Sequence, residues 1–151
     1  MIPKTILLCT DFSENSVAAR VCAIAYAKAF KAKLMILHIV NSRLLGYPRF
    51  EDRVTVDMAL LKTNIEEGVE EELELLTNDC RLELKEVEAQ YRSGAPAEEI
   101  VRFADEESAD LIVMGTHGWT GLKHLVLGST AENVVRTANC PVLTVKSSAK
   151  E

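Results

Sequence analysis

The chain has 151 residues, of which 48% are hydrophobic and 26% are charged, and its formal net charge is −6. This length suits one domain with a substantial core, so we expect a single domain over residues 1–151. The negative charge argues against a protein that binds the phosphate backbone of a nucleic acid, although backbone N–H groups can still hold a small anion.

The chain shows no signal for export or for a membrane. Its first residues, MIPKTILLCTDFSE, are too short and too soon acidic for a signal peptide, and no apolar run approaches the roughly 18 residues of a membrane span. Of the four cysteines, Cys9, Cys22 and Cys140 lie in apolar runs, and we expect them to be small buried side chains. None has the spacing of a zinc site. These features predict a reduced, cytoplasmic protein.

The first forty residues predict a strand, a helix and a second strand. TILLCT (5–10) and KLMILHIV (33–40) are short apolar runs of the kind that buried parallel strands use. Residues 13–30 between them predict a helix with Ser13 as its N-cap. The face toward the core is predicted to carry four apolar residues: Val17, Val21, Ile24 and Ala25.

A loop and a long helix come next. Residues 41–52 contain Gly46 and Pro48 and show no clear period, so we expect a loop there. Beyond it, apolar residues step by three or four and predict a long amphipathic helix: Met58, Leu61, Ile65, Val69, Leu73 and Leu76. The opposite face is rich in glutamate, and we expect it to be a solvated surface rather than a metal site.

The second half of the chain alternates in the same way. The helix predicted over 96–107 has Pro96 in its first turn and packs Ile100, Phe103 and Ala104. The other predicted elements are a half-exposed strand near a sheet edge (82–92), a buried strand (110–115), a last helix (129–138) and a last strand (140–146). Strands that alternate with helices predict one α/β domain, with a mostly parallel sheet covered on both faces.

Four of the seven glycines lie in the stretch VMGTHGWTGLKHLVLGSTAENVV (113–135), at positions 115, 118, 121 and 128. Gly115 ends a predicted strand and Gly128-Ser129 opens a predicted helix. In an open parallel sheet, ligands bind beyond the carboxyl ends of the strands where the winding direction reverses. Asp11 and Gly115 would line one crevice there if the fourth strand lies beside the first, but spacing alone leaves that order open.

The start of the last helix is suited to an anion. STAE (129–132) has the form of a capping box, with Ser129 followed by Glu132, and the first-turn N–H groups at the positive end of the helix dipole favour negative charge. Bare glycine backbone would let the chain approach phosphate oxygens closely. Two interpretations remain open on these residues alone, a phosphate-binding loop and a merely flexible one, since the P-loop and dinucleotide motifs are absent from the sequence.

The glycine spacing also carries a family resemblance. Gly115-x2-Gly118-x9-Gly128-Ser129 resembles the G-x2-G-x9-G-[ST] motif of the ATP-binding subgroup of the universal stress protein family. ILLCTDFSENS, ILHIV, GAPAEEIVRFADEESADLIVMGTHG and GSTAENVVRTANCPVLTVK look like further family segments. The resemblance implies a three-layer, Rossmann-like fold of the adenine nucleotide alpha hydrolase-like type, with a five-stranded parallel sheet in the order 3-2-1-4-5.

The resemblance implies ATP as the ligand, accompanied by Mg²⁺. Asp11 would lie by the ribose or a phosphate-bound metal, and Ile39 and Met114 would flank the adenine. The candidate nucleotide-binding residues are Cys9, Asp11, Ile39, Met114, Gly115, Gly118, Gly128, Ser129 and Thr130. The resemblance also implies a homodimer that pairs through the last strand, Pro141 to Val145.

The sequence departs from the family pattern at Trp119, where many relatives carry a basic residue; Lys123 could restore that charge. His38, inside an apolar strand, is expected to be a hydrogen-bonded core histidine. His117 and His124 lack a third ligand with metal-site spacing.

Three functions stay open. They are an ATP-binding regulatory or stress-response protein, a weak ATP hydrolase or phosphotransferase, and a nucleotide-free dimeric interaction module. Efficient hydrolysis is not expected, because no arginine lies near the loop and the usual catalytic lysine motif is missing.

Overall fold

Strands and helices alternate along the part of the chain that the structure, a computed structural model, describes: residues 1–42, 58–117 and 127–147. The strands are β1 (Thr5–Cys9), β2 (Lys33–Asn41), β3 (Val87–Gly94), β4 (Leu111–Gly115) and β5 (Val142–Val145). The helices are α1 (Asn15–Phe30), α2 (Met58–Arg81), α3 (Pro96–Glu106) and α4 (Ser129–Thr137).

The five strands form one parallel sheet in the order β3-β2-β1-β4-β5. This order confirms the arrangement that the family resemblance implied. Cys9 at the end of β1 is in register with Leu37 of β2 on one side and Met114 of β4 on the other. Because all strands are parallel, their carboxyl ends lie along one edge of the sheet, called the carboxyl edge below. The winding direction reverses between β1 and β4 at that edge.

Alternate residues of the strands face two separate cores, as the period of a strand requires. The first core lies under α1 and α2 and includes Ile6, Leu8, Leu34, Ile36 and Val113. The second core lies under α3 and α4 and includes Leu7, Met35, Leu37, Ile112 and Met114. Both faces of the central strands are therefore buried, which explains their nearly continuous apolar sequences.

The predicted core face of α1 is wrong for Val17, Val21 and Ala25, which are exposed, although Ile24 packs against the first core. Val17 and Val21 are 44% and 61% exposed, whereas Ala19, Ala23 and Ala27 are at most 1% exposed and face the first core. Hydrophobicity favoured the valines, but the short alanine side chains let the helix lie close to the sheet, where larger side chains would not fit. Val17 and Val21 are consequently left on the outer surface.

The core positions predicted for α2 and α3 agree better with the structure. Ile100, Phe103 and Ala104 of α3 are buried as predicted. In α2, the predicted core residues Val69, Leu73 and Leu76 are buried, but Leu61 is 37% exposed. Residues 59–64 are exposed, so the first turns of α2 add little to the core.

The strand predicted over 82–92 lies at the sheet edge as expected, but β3 begins only at Val87. The amide N–H groups of Glu83 and Leu84 both donate to the carbonyl oxygen of Cys80. These residues therefore form a turn at the end of α2, and the strand begins after it. Pairing with β2 then starts where Val87 is in register with Leu34.

All four cysteines are free thiols. Cys9 is buried as predicted, but Cys22 and Cys140 are only partly buried, while Cys80 has no exposed surface. Cys80 packs in the first core as a small apolar side chain, in the last turn of α2. Within the described residues, the helices are either too short or too polar to cross a membrane.

The corrected face of α1 can be tested with two matched substitutions. We expect Ala23→Leu to lower the free energy of unfolding by about 1–3 kcal/mol, because Ala23 is fully buried and a leucine would overpack the core. Ala25→Leu, two residues away on the exposed side, should stay within about 0.5 kcal/mol of the wild type. Urea unfolding measures both. If Ala25→Leu lowered the free energy of unfolding more than Ala23→Leu, the core face predicted from the sequence would be supported instead.

Candidate functional site

The carboxyl edge brings the first strand-to-helix turn against the end of β4. Asp11 follows β1 by two residues, and Gly115 is the last residue of β4. A Cβ added to Gly115 would lie 3.2 Å from the backbone oxygen of Asn15, the first residue of α1. Such a distance is too short for comfortable packing, so the absence of a side chain allows this close approach. Asp11 and Gly115 therefore lie at the ends of neighbouring strands at the switch point, the arrangement that spacing alone had left open.

Gly128 lies against the backbone that leaves β4. Its N–H donates to the carbonyl oxygen of Thr116 at 2.6 Å, and an added Cβ would lie 3.0 Å from that same oxygen. The φ of Gly128 is −70°, which any residue can adopt, so space and not conformation calls for glycine here. The two ends of the glycine loop are thus joined directly beside the sheet.

Thr116 is a site residue that sequence reasoning missed. It is 4% exposed, and its N–H donates to the carbonyl oxygen of Val145 at 3.1 Å, which ties the loop to β5. Its hydroxyl lies 2.9 Å from Nδ1 of His117. The signal that could have revealed it is its position as the first polar residue after a buried strand.

The N-terminus of α4 is built differently from the predicted capping box. Ser129 is the first helical residue and Gly128 is the N-cap. The N–H of Glu132 donates to the carbonyl oxygen of Gly128, and the Glu132 carboxylate accepts from Arg136 instead of turning back to the helix start. The helix therefore starts at residue 129 as predicted, but its N-cap is Gly128 and not Ser129. The N–H groups of Ser129 and Thr130 lie in the first turn, where backbone N–H groups have no acceptor within the helix.

A cleft of about 780 Å³ runs between α3 and α4. Ser129 and Thr130 line it, as do the first residues of α3 and the end of β2: Asn41, Pro96, Ala97 and Glu98. Both helices start at the carboxyl edge, so the positive ends of two helix dipoles face this cleft. The part played by α3 was not predicted, although Pro96 two residues after the end of β3 marks a helix that starts at this edge.

The residues expected to flank an adenine lie on the same side of the sheet as this cleft. Ile39 is partly buried and packs against the second core, to which Met114 and Cys9 belong. Met114 and Cys9 are 6% and 8% exposed, so each offers only a small surface to a ligand. Burial also raises the pKa of the Cys9 thiol far above its usual range, which keeps it protonated and unreactive.

Asp11 is held by a hydrogen-bonded turn. Its Oδ1 accepts from the backbone N–H of Ser13 at 3.0 Å and from the Ser13 hydroxyl at 2.5 Å. The predicted role of Ser13 as the N-cap of α1 is wrong, because the helix starts at Asn15 after Glu14. Ser13 is instead 4% exposed and serves to orient the carboxylate.

His38 is hydrogen-bonded as the sequence predicted, but it is only partly buried. Its Nδ1 lies 2.8 Å from the carbonyl oxygen of Thr10, and its ring stacks on Phe12 with centroids 4.6 Å apart. Burial lowers the pKa of His38 below its ordinary value, while the hydrogen bond to Thr10 and the charge of Asp11 oppose that shift.

Several predicted features lie outside the described residues. They are Gly118, Gly121, Trp119, Lys123, His124 and most of the loop predicted over 41–52. Within the described ranges, no group of three or more His, Cys, Asp or Glu side chains is arranged to hold a metal ion.

Comparison with known proteins agrees with this fold. A sequence model of the Universal stress protein family matches residues 3–146. The chain belongs to the universal stress protein family. It is 41% identical over 149 residues to the universal stress protein MJ0531 of Methanocaldococcus jannaschii, covering 98% of this chain and 85% of that protein.

Solved structures of family members have the same fold. MJ0577 of Methanocaldococcus jannaschii superposes with a TM-score of 0.82 at 33% identity, covering 99% of this chain and all of that one. A universal stress protein in complex with cAMP superposes with a TM-score of 0.72 at 28% identity, covering 98% of this chain and 100% of that chain. One relative of this fold therefore binds an adenine nucleotide.

The lowered pKa of His38 makes a prediction about stability and pH. In the unfolded chain the pKa of His38 has its ordinary value of 6.5. Below that pH the unfolded state binds more protons than the folded state, so folding stability is lost as the pH falls through 6.5. Glu106 and Asp110 also have lowered pKa values. Because their ordinary values are 4.5 and 3.8, their protonation affects stability mainly at pH values below the range of this test. We expect urea unfolding from about pH 7.5 to about pH 5.5 to show a loss of stability that is smaller in His38→Asn. Equal losses in both proteins would contradict this assignment.

Proposed function

We propose that this protein is an ATP-binding regulatory protein of the universal stress protein family that works as a homodimer. The observation that carries the proposal is the contact of Gly128 with Thr116, which brings the start of α4 to the end of β4 at the switch point of the sheet. Support also comes from the relative in complex with cAMP. The four free cysteines fit a reducing compartment, so we place this function in the cytoplasm.

The phosphates would lie at the N-terminus of α4. The N–H groups of Ser129 and Thr130 and the two hydroxyls supply donors at the positive end of the helix dipole. The cleft between α3 and α4, at about 780 Å³, is within the size range of small-molecule sites. Gly115 and Gly128 leave room for backbone to approach the phosphate oxygens, and Gly118 would extend that loop.

Charge compensation for the phosphates is a separate requirement. Two arginines of the helices that flank the cleft are already in ion pairs, Arg102 with Glu99 at 2.6 Å and Arg136 with Glu132 at 2.7 Å. The whole chain is also acidic, with a formal net charge of −6. We therefore propose that the nucleotide enters with Mg²⁺, held by the phosphates and by Asp11, since carboxylate and phosphate oxygens are its preferred ligands.

The adenine and ribose would lie on the sheet side of the cleft. Ile39 and Met114 are the apolar side chains at the ends of β2 and β4, and Cys9 lies between them on β1. The backbone at Ile39 would recognise the edge of the base, and Asp11 would accept from the ribose hydroxyls or hold the metal. This arrangement gives an apolar surface for the base and polar groups for the sugar and phosphates.

The dimer would form through the free edge of β5. The carbonyl oxygens of Pro141 and Val145 accept from Ile112 and Thr116 of the β4 side. Residues of a strand alternate in the direction of their N–H and C=O groups, so those of Val142 and Thr144 point away from the sheet. An edge of this apolar sequence invites pairing with another strand, and a second copy of the chain would satisfy it.

The nucleotide site can be tested by calorimetry with Mg²⁺ and ATP. We expect binding by the wild type and an affinity at least about tenfold lower for Gly128→Ala, because the added Cβ would push the start of α4 away from Thr116. The matched control is Gly68→Ala in α2, where no heavy atom lies within 4 Å of the added Cβ and where affinity should not change. Absence of binding heat from the wild type at millimolar ATP would refute the proposed function, and rapid steady phosphate release would favour the hydrolase.

The dimer can be tested by light scattering coupled to gel filtration. We expect Thr144→Pro to convert a dimer into a monomer, because proline removes an N–H that points out of the sheet edge and leaves the bonds to β4 in place. Thr144→Val is the control that keeps the N–H and should remain dimeric. Circular dichroism checks that both variants are folded. A dimer that survives Thr144→Pro would show that the interface lies elsewhere.

A further inference from the structure

His38 donates a hydrogen bond to the turn that carries Asp11. The carbonyl oxygen of Thr10 can only accept, so the proton of this 2.8 Å bond lies on Nδ1 of the histidine. His38 lies near the carboxyl end of β2, one strand away from Thr10 in the sheet. The bond therefore ties the first residue after β1 to its neighbouring strand.

The same ring supports the next part of the turn. Phe12 has a φ of 62°, in the left-handed region that is unfavourable for a residue with a side chain. Its ring stacks on His38 with an interplanar angle of 28°. His38 thus contacts the residues on both sides of Asp11, one through a hydrogen bond and one through ring packing.

A continuous set of hydrogen bonds connects these contacts to the Asp11 carboxylate. The N–H of Phe12 donates to the Thr10 hydroxyl oxygen, which is 3.2 Å from the Ser16 hydroxyl. The Ser16 hydroxyl donates to the carbonyl oxygen of Ser13 at 2.6 Å, and Ser13 in turn donates twice to Oδ1 of Asp11. A shift of Thr10 would be transmitted through this set to the carboxylate.

We propose that His38 is a positioning residue for the nucleotide site, which holds the turn from Thr10 to Ser13 so that the Asp11 carboxylate keeps its orientation at the carboxyl edge. His38 acts through the Thr10 carbonyl oxygen, on the face of the sheet opposite the cleft between α3 and α4. Its effect on ligand affinity rests on the proposed function, whereas its effect on the turn does not.

Two substitutions separate the hydrogen bond from the ring. His38→Phe keeps an aromatic ring for Phe12 but has no donor for Thr10. His38→Asn loses the ring but can place an amide N–H close to the position of Nδ1. Ile36→Val, on the same face of β2 and fully buried, is the control for a general loss of stability in this strand. His38→Leu replaces His38→Phe if the latter does not fold.

The first measurement is amide hydrogen exchange of the ligand-free protein. We expect exchange at the Phe12 and Ser13 amides to be about tenfold faster in His38→Phe than in the wild type, and close to the wild-type rate in His38→Asn and Ile36→Val. Rates in His38→Phe that match those in Ile36→Val would overturn the positioning role.

The second measurement is the affinity for Mg²⁺ and ATP. We expect an affinity about tenfold lower in His38→Phe, largely restored in His38→Asn. The loss should disappear in a protein that already carries Asp11→Asn, because His38 acts through that carboxylate. A loss of equal size in the Asp11→Asn background, or no loss at all, overturns the link to the nucleotide site. A wild type that binds no ATP refutes the proposed function, and hydrogen exchange then decides the positioning role alone.

Discussion

The pairing of β1 with both β2 and β4 is the constraint on which the rest of the structure depends. It places Cys9 between Leu37 and Met114 and makes the winding direction reverse at the carboxyl edge. A helix connects each strand to a later parallel strand, so the helices after β1, β3 and β4 all begin at that edge. One strand arrangement thus collects the strand ends, the first turn and the helix dipoles in one place.

At this edge the backbone has several features that the proposed phosphate site requires. A Cβ at Gly115 would lie 3.2 Å from the backbone oxygen of Asn15, and one at Gly128 would lie 3.0 Å from that of Thr116, so a side chain at either position would be crowded. Arg102 and Arg136, on the two helices that flank the cleft, are paired with glutamates, and the protein as a whole repels anions at long range. In the proposed function, recognition of the nucleotide would therefore depend on short-range hydrogen bonds and on a cation brought by the ligand, and less on electrostatic attraction from a distance.

The fold could be predicted largely from sequence, because the buried strands are continuous apolar runs and the glycine motif gave the family and thereby the strand order. The core face of α1 could not, because hydrophobicity ranks Val17 and Val21 above Ala19 and Ala23, and only the close approach of helix to sheet reverses that ranking. Thr116 and the start of α3 belong to the site through tertiary neighbours. Thr116 contacts Val145, and the start of α3 lines a cleft with α4, so neither role can be recognised from the neighbouring sequence.

The first turn shows how such neighbours replace a local rule. A chain that leaves β1 and enters α1 within a few residues must change direction sharply, and many turns use glycine for the left-handed residue that this requires. Here the residue is Phe12, at a cost of roughly 1–2 kcal/mol. Ring stacking on His38 returns about 0.5–1.5 kcal/mol, and the hydrogen bond from the backbone N–H of Phe12 to the Thr10 hydroxyl returns about as much. The two contacts offset the cost, so the turn is stable without glycine. Because one of them comes from β2, a tertiary contact rather than the turn's own sequence fixes the position of Asp11.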